Sequence, residues 1–148
     1  MNLTPSFTLH EAIFSQNASR AGIDNTPSPV ILENIKQAAQ GLQRVRDLLD
    51  SPVIVSSWYR NSAVNKLANG SKGSSHMQGW AIDFTCPNFG SPLKVCQAIY
   101  KNNIGFDQLI HEFGAWVHIS FDPRMRGELL TFDSFGPPRV GLVPVRTI

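Results

Sequence analysis

The segment Ser74-Ser75-His76-Met77-Gln78-Gly79-Trp80-Ala81-Ile82-Asp83 changes its periodicity partway along. His76 and Asp83 lie seven residues apart. On one helix they would stand about 10 Å apart along the axis, too far to share an ion whose bonds are about 2 Å long. Gly79 interrupts any such helix, and Trp80 to Thr85 alternates as a strand does. The segment therefore reads as a loop carrying His76, a turn at Gly79 and a strand carrying Asp83. On that strand Trp80, Ile82 and Phe84 share an apolar face, and Ala81 and Asp83 share the other. A carboxylate beside a small residue leaves room for an ion. If partly buried without a basic neighbour, it needs positive charge from somewhere.

The segment Glu112-Phe113-Gly114-Ala115-Trp116-Val117-His118-Ile119-Ser120 has the same logic. Val117, Ile119 and Phe121 form an apolar face; Trp116, His118 and Ser120 form the other. Two imidazoles and one carboxylate are a common catalytic zinc set with the fourth position open to water. Zinc chemistry of this kind suits amide hydrolysis. Taken singly, a loop His or a strand Asp is more often structural than a ligand, and no H-x-x-x-H spacing marks the site. If residues 113–115 form a three-residue hairpin loop, Glu112 pairs with Trp116 and lies diagonal to His118 at about 7 Å on the same face. His111 then falls on the opposite face and ranks second as a proton-transfer group. The plainer reading of Glu112 is a solvated hairpin carboxylate.

Outward from these strands, the clearest helix starts at Ser28-Pro29, with Ser as N-cap and Pro at the first helical position. Ile31, Ile35, Ala38, Ala39, Leu42, Val45 and Leu49 give it one apolar face, and Pro52 ends it. A buried strand is expected over 52–57, a short helix from Ser62 to Ala68, and a small-residue loop over 70–75. Ser91-Pro92 opens a second helix to about Lys101. Strands are expected at about 106–112 and 116–121, with a last one at Glu128–Phe132. Residues 1–27 read as an irregular arm with one short helix, which Thr8 and Glu11 start as a capping box. Residues 133–148 read as an irregular tail rich in Pro and Gly. The class is α+β: one domain over 1–148, with a small, mostly antiparallel sheet flanked by helices.

A chain of 148 residues with 42% hydrophobic residues can bury a core, which argues against disorder. A formal charge of +2 without a Lys/Arg run gives no support to nucleic-acid binding. No apolar run is long enough to span a membrane. The opening MNLTPSFTLHEAIF lacks a basic region followed by an apolar stretch, so the expectation is a protein soluble in the cytoplasm when made. Cys86 and Cys96 are too few for a disulfide framework. Buried thiols are the simpler reading, with a bridge between them left open.

The stretch from Ser74 to Asp83 fits the pattern S-x-H-x-x-G-x-A-x-D, and in this it resembles the M15 group of zinc peptidases. These are D-Ala-D-Ala carboxypeptidases and L-alanyl-D-glutamate endopeptidases. Ser57-Trp58-Tyr59-Arg60 resembles that group's S-x-Y-R segment, Asn65 follows as in the group, and Trp116-Val117-His118 resembles its W-x-H element. Gly22-Ile23-Asp24-Asn25-Thr26-Pro27 and the long helix resemble a phage-encoded branch. The likeness spans roughly residues 7–132. It implies a DD-peptidase/Hedgehog-type zinc fold with one Zn2+ per chain on His76, Asp83 and His118. Arg60 would bind a substrate carboxylate or steady the tetrahedral oxyanion; its plainer reading is a surface arginine. Much of the group has an acid three residues before the second zinc histidine, where this chain has Ala115. Glu112 is the substitute base.

Ser74 and Gln78 are candidate substrate or supporting donors, and Tyr59 and Trp116 are candidates to shape the cleft, though loop polarity and core packing account for them equally well. The implied function is zinc-dependent hydrolysis of an amide bond in peptidoglycan peptides. The implied setting is a phage or prophage lysis enzyme, monomeric and acting on the wall after release. Two alternatives stand: a non-catalytic zinc-containing structural or wall-binding module, and a zinc hydrolase of other amides on the same scaffold.

Overall fold

The structure is a computed structural model that describes residues 1–146. Helix α1 (Leu9–Ile13) begins with the expected box: the Glu11 amide donates to Thr8 Oγ at 3.2 Å, and the Thr8 amide donates to Glu11 Oε1 at 2.9 Å. The N-terminal arm holds a second helix, α2 (Gln16–Ala21), that the sequence reading did not foresee. Ser15 caps its start and Gly22 ends it at φ 67°. Its short, polar sequence has no apolar stripe to betray it. Helix α3 (Pro29–Leu49) starts at Ser28 as expected and stops where Asp50 turns left-handed. Ile35, Ala38, Ala39, Leu42, Val45 and Leu49 are buried along one face. Truncating one of the larger of these to alanine would cost about 2–5 kcal/mol.

The remaining elements are β1 (Ile54–Ser57), α4 (Ser62–Leu67), a 3-10 turn (Ser75–Gln78), β2 (Ala81–Thr85), α5 (Pro92–Lys101), β3 (Gln108–Glu112), β4 (Trp116–Ser120), β5 (Glu128–Phe132) and β6 (Arg139–Val140). His76 therefore sits in a short helical turn rather than in open loop. The tail from residue 133 is not wholly irregular. It contributes β6, and Arg139 and Arg146 both close on the buried Asp133. Residues 147–148, at the end of that tail, lie outside the described residues.

The six strands form one sheet in the order β1-β2-β4-β3-β5-β6. All neighbours are antiparallel except β3 and β5, which are parallel. The exception follows from the route: β4 returns beside β3 through a tight hairpin, and the chain then crosses to the far side of β3. Residues paired across strands share a face, so the register sorts the sheet. Ile82, Phe84, Val117, Ile119 and Leu109 point to one side, fully buried in the same core as Leu42 and Val45 of α3 and Val95 and Ile99 of α5. Gly41 permits close packing here, because a Cβ there would collide with the Phe121 ring. The other side carries Ser57, Asp83, His118, Ile110 and Leu130 in one row across five strands. One row along lie the paired Glu112 and Trp116.

Candidate active site

His76 is held by its backbone before its ring does anything. Ser74 Oγ accepts the His76 amide at 3.2 Å, and Gly79 ends the turn at φ 81°. Gly79 is also a close-approach position, since a Cβ would stand 2.8 Å from Ile35 Cγ1. The His76 carbonyl accepts the Arg60 amide at 3.1 Å, which ties the turn to the end of β1. The ring Nδ1 lies 2.6 Å from the Trp58 carbonyl oxygen. A carbonyl only accepts, so Nδ1 carries the proton and Nε2 keeps its lone pair. Trp58 is itself fully buried, its indole N–H donating to the Gly79 carbonyl at 3.0 Å.

That Nε2 lone pair faces Asp83 Oδ2 at 3.3 Å. On the other side His118 Nδ1 lies 2.8 Å from Asp83 Oδ1, and the two imidazole rings meet edge to face at 5.2 Å. One donor atom from each of His76, Asp83 and His118 falls within 4.8 Å of the others. Burial pushes the His76 pKa down, only partly offset by Asp83, so the ring is neutral. Burial also works against the charge on Asp83, but the hydrogen bond from His118 Nδ1 favours it, and the carboxyl stays below the usual range. An ionised carboxylate and a neutral lone pair are thus aimed at one buried point. Two acceptors facing each other repel unless a cation lies between them. The donor set therefore fits a divalent ion, and two nitrogens with one oxygen suit zinc.

Glu112 stands at the edge of this group, with Oε1 3.7 Å from His118 Nδ1. A three-residue turn puts it there: Phe113 and Gly114 are left-handed at φ 56° and 68°, the Ala115 amide donates to the Glu112 carbonyl at 2.9 Å, and Glu112 pairs with Trp116. Burial, then the negative charge of Asp83, push its carboxyl up to about 7. Ala115 is exposed in the turn and brings no acid to the site. His111 is buried on the opposite face, with Nδ1 2.9 Å from the Val143 carbonyl oxygen.

These groups open into a cleft of about 720 Å³ lined by His76, Asp83, Glu112, His118, Arg60 and Trp116, among others. Burial lowers the Arg60 pKa while Asp83 and Glu112 raise it, and a guanidinium stays charged through such changes. Among the described residues Arg60 Nε is buried without a hydrogen-bond partner, and the Trp116 indole N–H, beside Glu112, works to keep that carboxylate ionised. An unmet buried donor costs about 1–3 kcal/mol, so the Arg60 Nε beside the cleft calls for an acceptor oxygen on a ligand.

Ser74 lines the cleft as well as capping the turn. Tyr59 and Gln78 do not belong to it. Tyr59 is a core residue whose carbonyl accepts Asn25 Nδ2 at 2.9 Å, and it borders a neighbouring groove. Gln78 is exposed, its carbonyl accepting Asn34 Nδ2 at 2.9 Å. Tyr59 precedes Arg60 and Gln78 lies two residues after His76, but the backbone turns both elsewhere. The sequence reading also missed Gln108, Arg124 and Arg126 at the far end of the cleft. Gln108 shares strand parity with Glu112 and was findable. The two arginines arrive from the β4–β5 link, where Arg126 clasps the buried Asp107 through Nε and Nη2 at 2.8 and 2.9 Å.

The fold and site define a mixed α+β domain whose sheet presents three donor residues that could hold a cation, beside a carboxylate and a guanidinium, an arrangement suited to hydrolysis. The sequence model of the Peptidase M15 family matches residues 5–120, and the chain belongs to that family. No curated protein matches it. Family membership supports a peptidase, and a peptidase implies a peptide substrate. Among the described residues no helix is long and apolar enough to cross a membrane.

Proposed function

We propose that this chain is a zinc peptidase that hydrolyses an amide bond in peptidoglycan peptides, with the whole chain as one peptidase domain and one zinc per chain. The observation that carries the reading is the convergence of the His76 lone pair, the Asp83 carboxylate and His118 in one cleft with Glu112 and Arg60. When bound by His76, Asp83 and His118, zinc supplies polarisation of the scissile carbonyl and acidification of a water.

The Trp58 carbonyl holds His76 in the tautomer that leaves Nε2 free to ligate. Glu112 takes the proton of the attacking water and returns it to the leaving nitrogen, so the carboxylate is restored at the end of the cycle. The Arg60 guanidinium, whose buried Nε lacks an acceptor among the described residues, donates to oxygens of the substrate, and the Trp116 indole lines the same cleft. The setting we favour is a phage or prophage lysis enzyme, a monomer made in the cytoplasm and acting on the wall after release. It rests on the resemblance of residues 22–27 and the long helix to a phage-encoded branch.

The test is mass spectrometry of purified peptidoglycan digested by the zinc-loaded protein, beside a chelated control. New peptide termini that vanish with the chelator would establish the activity and name the bond. Intact peptidoglycan from several wall types, with protein shown to hold zinc, would sink the reading in favour of a non-catalytic module.

A further inference from the structure

Arg60 and Ala68 border two spaces at once: the cleft holding His76, Asp83 and His118, and a groove of about 250 Å³ beside it. The groove continues past Phe14 and Ser56 into a further hollow of about 170 Å³. Together they form one path, from the three metal-donor residues over Arg60 and along β1, which is an edge strand of the sheet. The two ends of this path differ in chemistry. Beyond Arg60 the groove offers Ser15, Gln16, Asn17 and Ser57, all hydroxyls and amides, and among the described residues Arg60 is its one charged lining residue. Phe14, 54% exposed, adds an aromatic ring with His10 behind it at a centroid distance of 5.6 Å. The far end of the main cleft instead carries Arg124 and Arg126.

Resting on the peptidoglycan reading above, we propose that the groove between α2 and β1 is a subsite for the sugar from which the stem peptide hangs. An N-acetylated sugar presents hydroxyls and an amide to side chains such as Asn17 and Gln16, and a C–H face to the Phe14 ring. It carries no charge on the ring that would demand a counter-ion; among the described residues the groove offers Arg60 alone, and the further hollow offers Glu11, whose Oε1 is engaged by Thr8. The stem peptide bears its carboxylates farther along, toward the end where Arg124, paired with Asp122, and Arg126, paired with Asp107, remain exposed. This orientation puts the scissile bond near the glycan and makes the enzyme select peptide that is still attached to sugar.

The experiment compares kcat/KM of the zinc-loaded full chain on a sugar-linked muropeptide and on the same stem peptide without the sugar. It uses the wild type, Phe14→Ser and Asn17→Ala. Both positions are exposed, and melting curves verify the fold of each variant. The wild type is expected to favour the sugar-linked substrate by about tenfold or more, the worth of one or two neutral hydrogen bonds. In each variant that ratio falls toward one. Equal rates of the wild type on both substrates would overturn the sugar subsite and leave the peptidase reading standing. Variants that keep the full preference would overturn it too, by placing the sugar elsewhere. Failure to cleave either substrate would overturn the peptidoglycan reading and this inference with it.

Discussion

Replacing Asp83 with asparagine keeps the side chain's shape and removes its charge, so it separates ion binding from packing. In the wild type the carboxylate faces His76 Nε2 at 3.3 Å and His118 Nδ1 at 2.8 Å. With zinc at about 100 times its dissociation constant, ligand linkage adds about 2.7 kcal/mol to the wild type. A domain of this size shifts its melting point by about 2–4 °C per kcal/mol, so zinc should raise it by about 5–11 °C. Asp83→Asn loses the anionic ligand. If affinity falls about a hundredfold, the same zinc concentration adds only about 0.4 kcal/mol, or about 1 °C. The ion-free variant should melt no lower than the ion-free wild type by more than a few degrees. Its amide can donate to the His76 lone pair that the carboxylate only repels. The assay is thermal unfolding at neutral pH of chelator-stripped protein, with and without added zinc. A wild type with no zinc-dependent rise, or an Asp83→Asn protein with the full rise, would refute the cation site.

Glu112→Gln should lower kcat by about 10²–10⁴-fold while keeping the zinc-dependent rise in melting temperature; undiminished turnover would remove Glu112 from the proton step. Gly79→Ala forces a side chain into the left-handed region and against Ile35, and should destabilise the fold by about 1–3 kcal/mol, read in a urea titration. An unchanged midpoint would mean the His76 turn does not need its left-handed glycine. Asp107 is held below the usual carboxylate range first by its hydrogen bond to Arg126, against the opposing effect of burial. Because its folded pKa is depressed, its contribution is complete above the unfolded value of about 4 and is lost as pH falls through the folded one. Melting curves across acidic pH should therefore show a shallower acid decline in Asp107→Asn than in the wild type, and identical acid limbs would assign that decline to other carboxylates.

Much of this molecule was legible in the order of its residues. The Ser-Pro starts of α3 and α5 and the Thr8 box are local signals, each satisfied by atoms a few residues away. The alternation of residues 80–85 and 116–121 sorted the core side chains from Asp83 and His118, because side-chain direction along a strand depends on parity alone. The hairpin register that pairs Glu112 with Trp116 followed from counting the turn. Other features have no local signal. The Trp58 carbonyl that sets the His76 tautomer is a backbone group, silent in the sequence. Tyr59 and Gln78 look as apt as Ser74 and Trp116 until the turn at residues 75–78 and the core packing around Tyr59 send them elsewhere. Arg124 and Arg126 reach the cleft only because β5 pairs parallel to β3, which carries the connecting link across the strand ends. Short-range geometry could thus be read from residue order. Which distant groups share one cleft was decided by the strand order β1-β2-β4-β3-β5-β6, a choice made by the packing of the whole chain.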